Sequence, residues 1–431
     1  MLWVVRGEKR TMRFNAGAVN ALSLVAIQGA NALFPLFVFP FLLAILGKES
    51  FAEMVVAEAM ALYALTVCLY GFDTSGVQSI IESRKQGNKS DEAACLFNIL
   101  GARIILLVVS ALLLFGLNAL VVGVEPSVLF VWLLYVLGMI LQSNFYFQAV
   151  EQNFALAVLT TLSRIGAMLA VYLLVRNESD LLLASVILAG SFLVSGGGAF
   201  VLLISRFGLR ALSSIQFAEI RYLLVEGRHL FLGNISVALF RGANIIILSG
   251  MSSAAAVSAY ALAEKVIKSI QALARPMNQI FAPKAVKAWF LLDDESKDER
   301  KAFVLIWRST RTQVLTMSLS LPFILSAIYA GHLYGVLPGF DEDAVKLIVL
   351  MAPAVIFGVA NAMFGAVGLN LLGAQSYFAR CVLLVGICAF VLSITLTHFF
   401  DAVGAAISFL LAEVCLLISF LWKYQGKFSR G

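Results

Sequence analysis

The residues of this 431-residue chain best suited to do chemistry are charged side chains embedded in apolar sequence. Five of its 31 lysines and arginines, Arg164, Arg241, Lys265, Lys268 and Arg275, fall inside long hydrophobic runs. A charge held at the centre of a bilayer costs from about 2.5 to more than 10 kcal/mol, so such residues usually face a wet cavity or a partner. Four carboxylates, Glu58, Asp73, Glu264 and Glu413, lie in or at the ends of similar runs. They are candidates for accepting protons or for neutralising the basic groups; burial raises a carboxylate pKa and a neighbouring lysine lowers it. Five cations against four acids suggest a positive potential and an anionic ligand, whose oxygens arginine grips in pairs.

The segment AYALAEKVIKSIQALARPMNQIFAPK concentrates this pattern. At 100° per residue Glu264, Lys265, Lys268, Gln271, Arg275, Asn278 and Gln279 share an arc of roughly 140°, with Val266, Ile267, Ile270, Leu273, Met277 and Phe281 opposite. That polar arc reads as the wall of an aqueous cavity. Arg241 sits about 18 Å, and Arg164 about 14 Å, from the inner end of its helix, too deep for easy snorkelling. Blander readings remain open. Arg275 precedes Pro276, Lys284 and Lys287 near the inner end and suits an interfacial anchor; Lys265 has Glu58 or Glu413 as a possible ion-pair partner.

Two further polar residues come from a faint internal echo. Gln28-Gly29-Ala30-Asn31 and Arg241-Gly242-Ala243-Asn244 occupy the opening helix of each half of the chain, which adds Asn31 and Asn244 to the candidate binding residues. His229, His332 and His398 lie at helix ends without metal-ligand spacing, and no P-loop pattern is present, so no metal or cofactor is expected. The five cysteines suggest neither a disulfide framework nor a zinc site. Gly196-Gly197-Gly198, Pro35, Pro40 and Pro353 read as kinks or close-packing points, and the Pro35/Pro40 pair also as a hinge.

These residues are positioned by a chain that is 61% hydrophobic and 13% charged. A soluble domain is about 45–50% apolar and about 25% charged, so a soluble enzyme is excluded. Apolar runs predict an all-α polytopic membrane protein with about twelve spans, near 18–46, 51–72, 98–120, 127–149, 155–175, 181–204, 229–250, 255–282, 312–334, 346–370, 378–398 and 403–422. With the N-terminus inside, 23 basic residues fall on the cytoplasmic side and only Lys48, Arg176 and Lys346 outside, which places both termini in the cytoplasm. The net charge of +6 is therefore a topology signal and not a sign of nucleic-acid binding. The polar stretch 205–228 divides residues 1–204 from 229–431, giving two six-helix halves joined by a cytoplasmic linker. Parallel repeats of this kind are a transporter plan.

Several stretches resemble the bacterial oligosaccharide flippases of the O-antigen (Wzx) type, within the larger superfamily that also holds multidrug and toxin extruders. They are PLFVFPFLLAILG within Gln28 to Gly47, YGFDTSGVQSIIESR from Tyr70 to Arg84, LFRGANIIILSG, SAYALAEKVIKSIQAL and PMNQIFAPKAVK within Leu239 to Lys287, and GAAISFLLAEVCLLISFLWK from Gly404 to Lys423. The resemblance implies two six-helix bundles around a central cavity, alternating access, and outward movement of an undecaprenyl-pyrophosphate-linked sugar made at the inner face of the bacterial inner membrane. A polymerase, a chain-length regulator and glycosyltransferases are the partners it implies, besides the lipid bilayer. Where relatives often carry an acid after the helix-seven arginine, this chain has Asn244, which moves attention to its other carboxylates. Two competing classes are a cation-coupled multidrug exporter and a membrane-embedded polysaccharide polymerase. Residues 16–46 hold no Asp or Glu, against the first, and the outer loops are short, against the second.

Overall fold

A computed structural model describes the backbone of residues 2–85, 87–292, 298–335 and 339–425. Side chains are described within these ranges except at 2–18, 21, 121, 229–230, 232–234, 236–241, 275–276 and 279–280. Among the described residues every element is helical. In chain order they are α1 (Leu2–Leu69), α2 (Phe72–Lys85), α3 (Lys89–Leu117), α4 (Pro126–Gln142), α5 (Asn144–Ala149), α6 (Asn153–Leu174), α7 (Leu181–Phe207), α8 (Phe217–Met251), α9 (Ala254–Phe290), α10 (Glu299–Leu333), α11 (Glu342–Met351), α12 (Pro353–Asn361) and α13 (Gln375–Lys423). Among the described residues eight helices or runs of consecutive helix are long and apolar enough to cross a membrane. Helices suit this composition because each backbone N–H and C=O is satisfied within its own segment, where hydrocarbon supplies no partner.

The breaks fall at identifiable residues. Gly47 has φ 72° and interrupts α1 between the two expected spans, a conformation open to glycine because it lacks Cβ. Asp401 plays the same part in α13, with φ 48°. The expected span 127–149 is broken at Ser143, whose φ of 44° separates α4 from α5. The expected span 346–370 is three pieces, α11, α12 beginning on Pro353, and a π-helix over Ala362–Leu369. Pro at the first helical position loses no hydrogen bond, so Pro353 starts a new helix at a point where a kink or close packing was expected. The polar stretches also contain helix: α8 begins at Phe217, inside the expected linker, and α10 begins at Glu299, thirteen residues before the expected span. Polarity marks where a helix leaves the membrane, not where it ends.

The chain forms two compact units, Met1–Phe34 with Met60–Ile235, and Pro35–Ala59 with Ser236–Gly431. α1 is divided twice, immediately before Pro35 and immediately after Ala59. In the first unit α4 and α7 pack most extensively, through glycine: a Cβ on Gly196 would overlap the Gly138 carbonyl, and one on Gly138 would overlap the backbone of Phe192. Lipid tails are as apolar as leucine, so helices associate in a membrane through such close approach. Gly198 faces the Leu159 side chain, whereas a Cβ on Gly197 would meet nothing within 4 Å. Residues 214–224, which lie within the first unit, are also fastened to it. Asn98 accepts from the Gln216 N–H (2.7 Å) and donates to the Ser214 carbonyl (3.4 Å), and the Tyr70 hydroxyl donates to the Leu224 carbonyl (2.8 Å).

In the second unit α9 packs on α10, α11 and α12, and α12 on α13. Buried Trp289, Ile306, Met363, Phe364, Phe420 and Tyr424 form a core in which the Tyr424 hydroxyl donates to the Phe364 carbonyl at 2.7 Å. Residues 35–59 join this unit through polar contacts: Ser258 Oγ donates to the Lys48 carbonyl (2.6 Å), and Lys48 Nζ pairs with Asp341 at 2.7 Å. Hydrogen bonding to Asp341 raises the Lys48 pKa above its ordinary value, so this ammonium stays charged throughout the neutral range.

Gly196→Leu is expected to force α4 and α7 apart and to destabilise the protein by about 3 kcal/mol, the upper end of the usual overpacking range. Gly197→Ala is expected to be neutral. Thermal unfolding of the purified protein in detergent checks both, and equal midpoints for the two variants would refute this account of the crossing.

Candidate functional site

Each unit holds a charged group that its helices withdraw from the surface. In the first, α6 carries Arg164 into the interior, where it is 3% exposed. Its Nε donates to Asn31 Oδ1 of α1 at 3.2 Å, and its Nη1 donates to Ser191 Oγ of α7 at 2.6 Å. The guanidinium lies 3.4 Å from the centre of the Phe192 ring and 5.8 Å from that of Phe34. Among the described residues no carboxylate lies within ion-pair distance of it. Neutral dipoles and ring faces hold the cation in place, and among the described residues none of its partners carries a compensating charge.

In the second unit the expected polar arc of α9 meets specific partners. Lys265 Nζ contacts both oxygens of Glu58, at 2.8 and 2.7 Å, and stands 3.9 Å from the Phe39 ring centre. Of the two partners expected for Lys265, the structure supplies Glu58. One turn on, Lys268 Nζ lies 3.1 Å from Glu264 Oε2, whose other oxygen is buried without a hydrogen-bond partner among the described residues. Gln271 Nε2 donates to the Ala354 carbonyl of α12 at 3.0 Å, in the space left by Gly358. Val266, Ile267 and Ile270 are buried on the other side, while Leu273 is exposed. Asn244 is buried among α8, α9 and α13: it donates to the Tyr260 hydroxyl (2.6 Å) and the Ala405 carbonyl (3.3 Å) and accepts from Ser393 Oγ (2.7 Å). The side chains of Arg241 and Arg275 lie outside the described residues; their backbones continue α8 and α9.

The two remaining carboxylates differ. Asp73, half exposed on α2, bonds Arg103 Nη2 at 2.8 Å. Glu413, 1% exposed on α13, accepts from Asn361 Nδ2 at 2.7 Å, and among the described residues no cation is within ion-pair distance. Asn361 is the last residue of α12 and directly precedes the π-helix, a distortion frequent at functional sites.

Sequence reasoning passed over three groups. Arg103 counts there among the inner basic residues, yet it is 1% exposed and stacked 4.9 Å from the Phe145 ring centre; its position inside the span 98–120 was the available signal. Ser191 and Phe192 have no such signal, since nothing in one helix announces what another brings to it. Glu92, which accepts from the Tyr146 hydroxyl at 2.8 Å and pairs with Arg206 at 3.5 Å, reads in sequence as a surface acid near a loop.

Comparison with known proteins bears on this arrangement. The model of a family described as polysaccharide biosynthesis protein matches residues 18–287. A protein of Escherichia coli (strain K12) named putative O-antigen transporter is 25% identical over 412 residues, 94% of this chain and 95% of its own length. One of the same name from Shigella dysenteriae is 23% identical over 409 residues, covering 94% and 98%. Among solved structures, the lipid II flippase MurJ in an inward closed conformation superposes with TM-score 0.69 at 11% identity, over 94% of this chain and 87% of that one. An inward-facing multidrug resistance transporter of the MATE family matches with TM-score 0.62 at 11% identity, over 95% and 100%. The chain thus shares the fold of these two structures, and with its apolar helices it is a multi-pass membrane protein.

Lys265→Met, which leaves Glu58 without its cation, is expected to cost about 3 kcal/mol of stability, the lower end for a broken buried pair, because both side chains keep some exposure, 15% and 16%. Removing both polar ends in Lys265→Met/Glu58→Leu is expected to recover most of that loss. Thermal midpoints of the single and double variants measure the coupling, and a single variant as stable as the parent would show the pair to be idle.

Proposed function

We propose that this chain, which belongs to the polysaccharide biosynthesis protein family, is a flippase for a lipid-linked oligosaccharide. In this reading it moves an undecaprenyl-pyrophosphate-linked repeat unit from the cytoplasmic to the periplasmic face of a bacterial inner membrane by alternating access. It does so with twelve crossings in two six-helix halves and both termini in the cytoplasm. The observation that carries the reading is Arg164: a guanidinium 3% exposed, held by neutral groups with no carboxylate beside it among the described residues. A cation so placed is matched by an anion that comes and goes, and a pyrophosphate head group is such an anion. Relatives named O-antigen transporters support the choice of an oligosaccharide cargo.

Arg164, Arg241, Lys265 and Lys268 are proposed contacts to the substrate, and Asn31, Gln271, Asn244 and Arg275 are proposed further contacts. Lys265 and Lys268 each hold a carboxylate in the present structure. A ligand phosphate would compete with Glu58 and Glu264 for them. Proton antiport through Glu58, Asp73, Glu264 or Glu413 is the proposed coupling.

A strain lacking the protein is expected to accumulate single lipid-linked repeat units on the inner face of the membrane. Complementation by Arg241→Gln or Lys265→Gln at normal abundance is expected to leave export impaired. Unchanged export in both variants would overturn the head-group assignment, and changed drug susceptibility with normal lipid distribution would favour an exporter. Transport by reconstituted protein is expected to rise when an inward proton gradient is imposed; insensitivity to that gradient would overturn the proton coupling.

A further inference from the structure

The first unit carries an apolar groove between α6 and α7 with a cavity volume of about 470 Å³, within the about 300–1,000 Å³ span of small-molecule sites. Its walls include Leu162, Gly166, Ala170, Val186, Gly190 and Ser191. A Cβ on either Gly166 or Gly190 would meet nothing within 4 Å, so these glycines leave open space and are not explained by helix packing. That separates them from Gly196 and Gly138, which are. Ser191 belongs to the groove wall and to the charged site together, because its Oγ receives the 2.6 Å hydrogen bond from Arg164.

We propose that this groove seats the first isoprene units of the lipid carrier, an inference that rests on the lipid-linked substrate proposed above. The argument is continuity and charge. An apolar trough beside a guanidinium that has no counter-carboxylate among the described residues matches a molecule whose anionic phosphate is joined directly to a hydrocarbon chain. The open glycine positions provide room for the methyl branches that an isoprenoid carries at each unit. The volume takes only the start of a long chain, so the remainder stays in lipid. Moving a chain from lipid into an apolar groove gains nothing from leaving water, so selectivity comes from shape and from the phosphate. A second groove, between α1 and α6, is lined by Val19, Leu22, Ala26, Phe154, Val158 and Leu162 among others; none of its lining residues is among those that hold Arg164, and it serves as the control.

The test measures dissociation constants of the full-length protein in nanodiscs for two sugar pyrophosphates, one carrying an undecaprenyl and one a geranyl chain. Gly190→Phe and Gly166→Phe are expected to collapse the preference for the longer chain by about tenfold, the scale on which a misfitted methylene counts in an apolar pocket; Ala26→Phe is expected to keep it. A preference unchanged in both groove variants, while the parent binds both ligands, would overturn the groove and leave the flippase reading standing. A parent that binds neither ligand would overturn the reading itself. Should the variants misfold, a photoreactive undecaprenyl pyrophosphate applied to the unmodified protein is expected to label residues 159–194. Labelling elsewhere, or labelling there that phosphatidylglycerol competes away equally well, would assign the groove to bulk lipid and overturn the proposal.

Discussion

A polar group inside hydrocarbon has no water to turn to, and that constraint governs nearly everything in this structure. It dictates helices, because a helix satisfies its own backbone. It also dictates what every embedded charge must touch. Lys265 takes both oxygens of Glu58, Lys268 takes Glu264, Glu413 takes an amide from Asn361, and Arg103 takes Asp73. Even Asn244 is occupied at both ends, by Tyr260, Ala405 and Ser393. Arg164 differs in kind: its partners among the described residues are dipoles and rings, which orient a guanidinium but do not neutralise it.

The same constraint shapes the packing around these groups. Helices in lipid gain little from mutual apolar contact, so they hold by approaching closely, and Gly138 against Gly196 shows how closely. The α4–α7 crossing fixes α7, and α7 supplies Ser191 and Phe192 to Arg164. Residues 35–59 are tied into the second unit by Ser258, Asp341 and Lys265, so the Lys265–Glu58 pair both satisfies a charge and anchors a helix. Glycine thus does two separate jobs here. Some glycines let backbones touch, and others, Gly166 and Gly190, leave a groove unfilled.

Composition and periodicity were enough to read the membrane class and the positions of the long apolar helices, because a bilayer demands long apolar runs whatever the fold. They also picked out Arg164, Lys265, Lys268 and the carboxylates, since a charge in such a run is conspicuous against its neighbours. Gly47 and Asp401 fell between expected spans, where a turn was needed. The family resemblance likewise lay in local stretches of sequence.

Partnership was decided only by the tertiary structure. Glu58 and Glu413 looked equally available to Lys265, and which one reaches it depends on how α1, α9 and α13 are placed, not on any residue nearby in sequence. The breaks at Ser143 and within 342–369, the burial of Arg103 and the ring beneath Arg164 were hidden for the same reason. Hydropathy reports the cost of taking a residue out of water, a property of one side chain. How that cost is met is a property of two or more helices, and it exists only once they have packed.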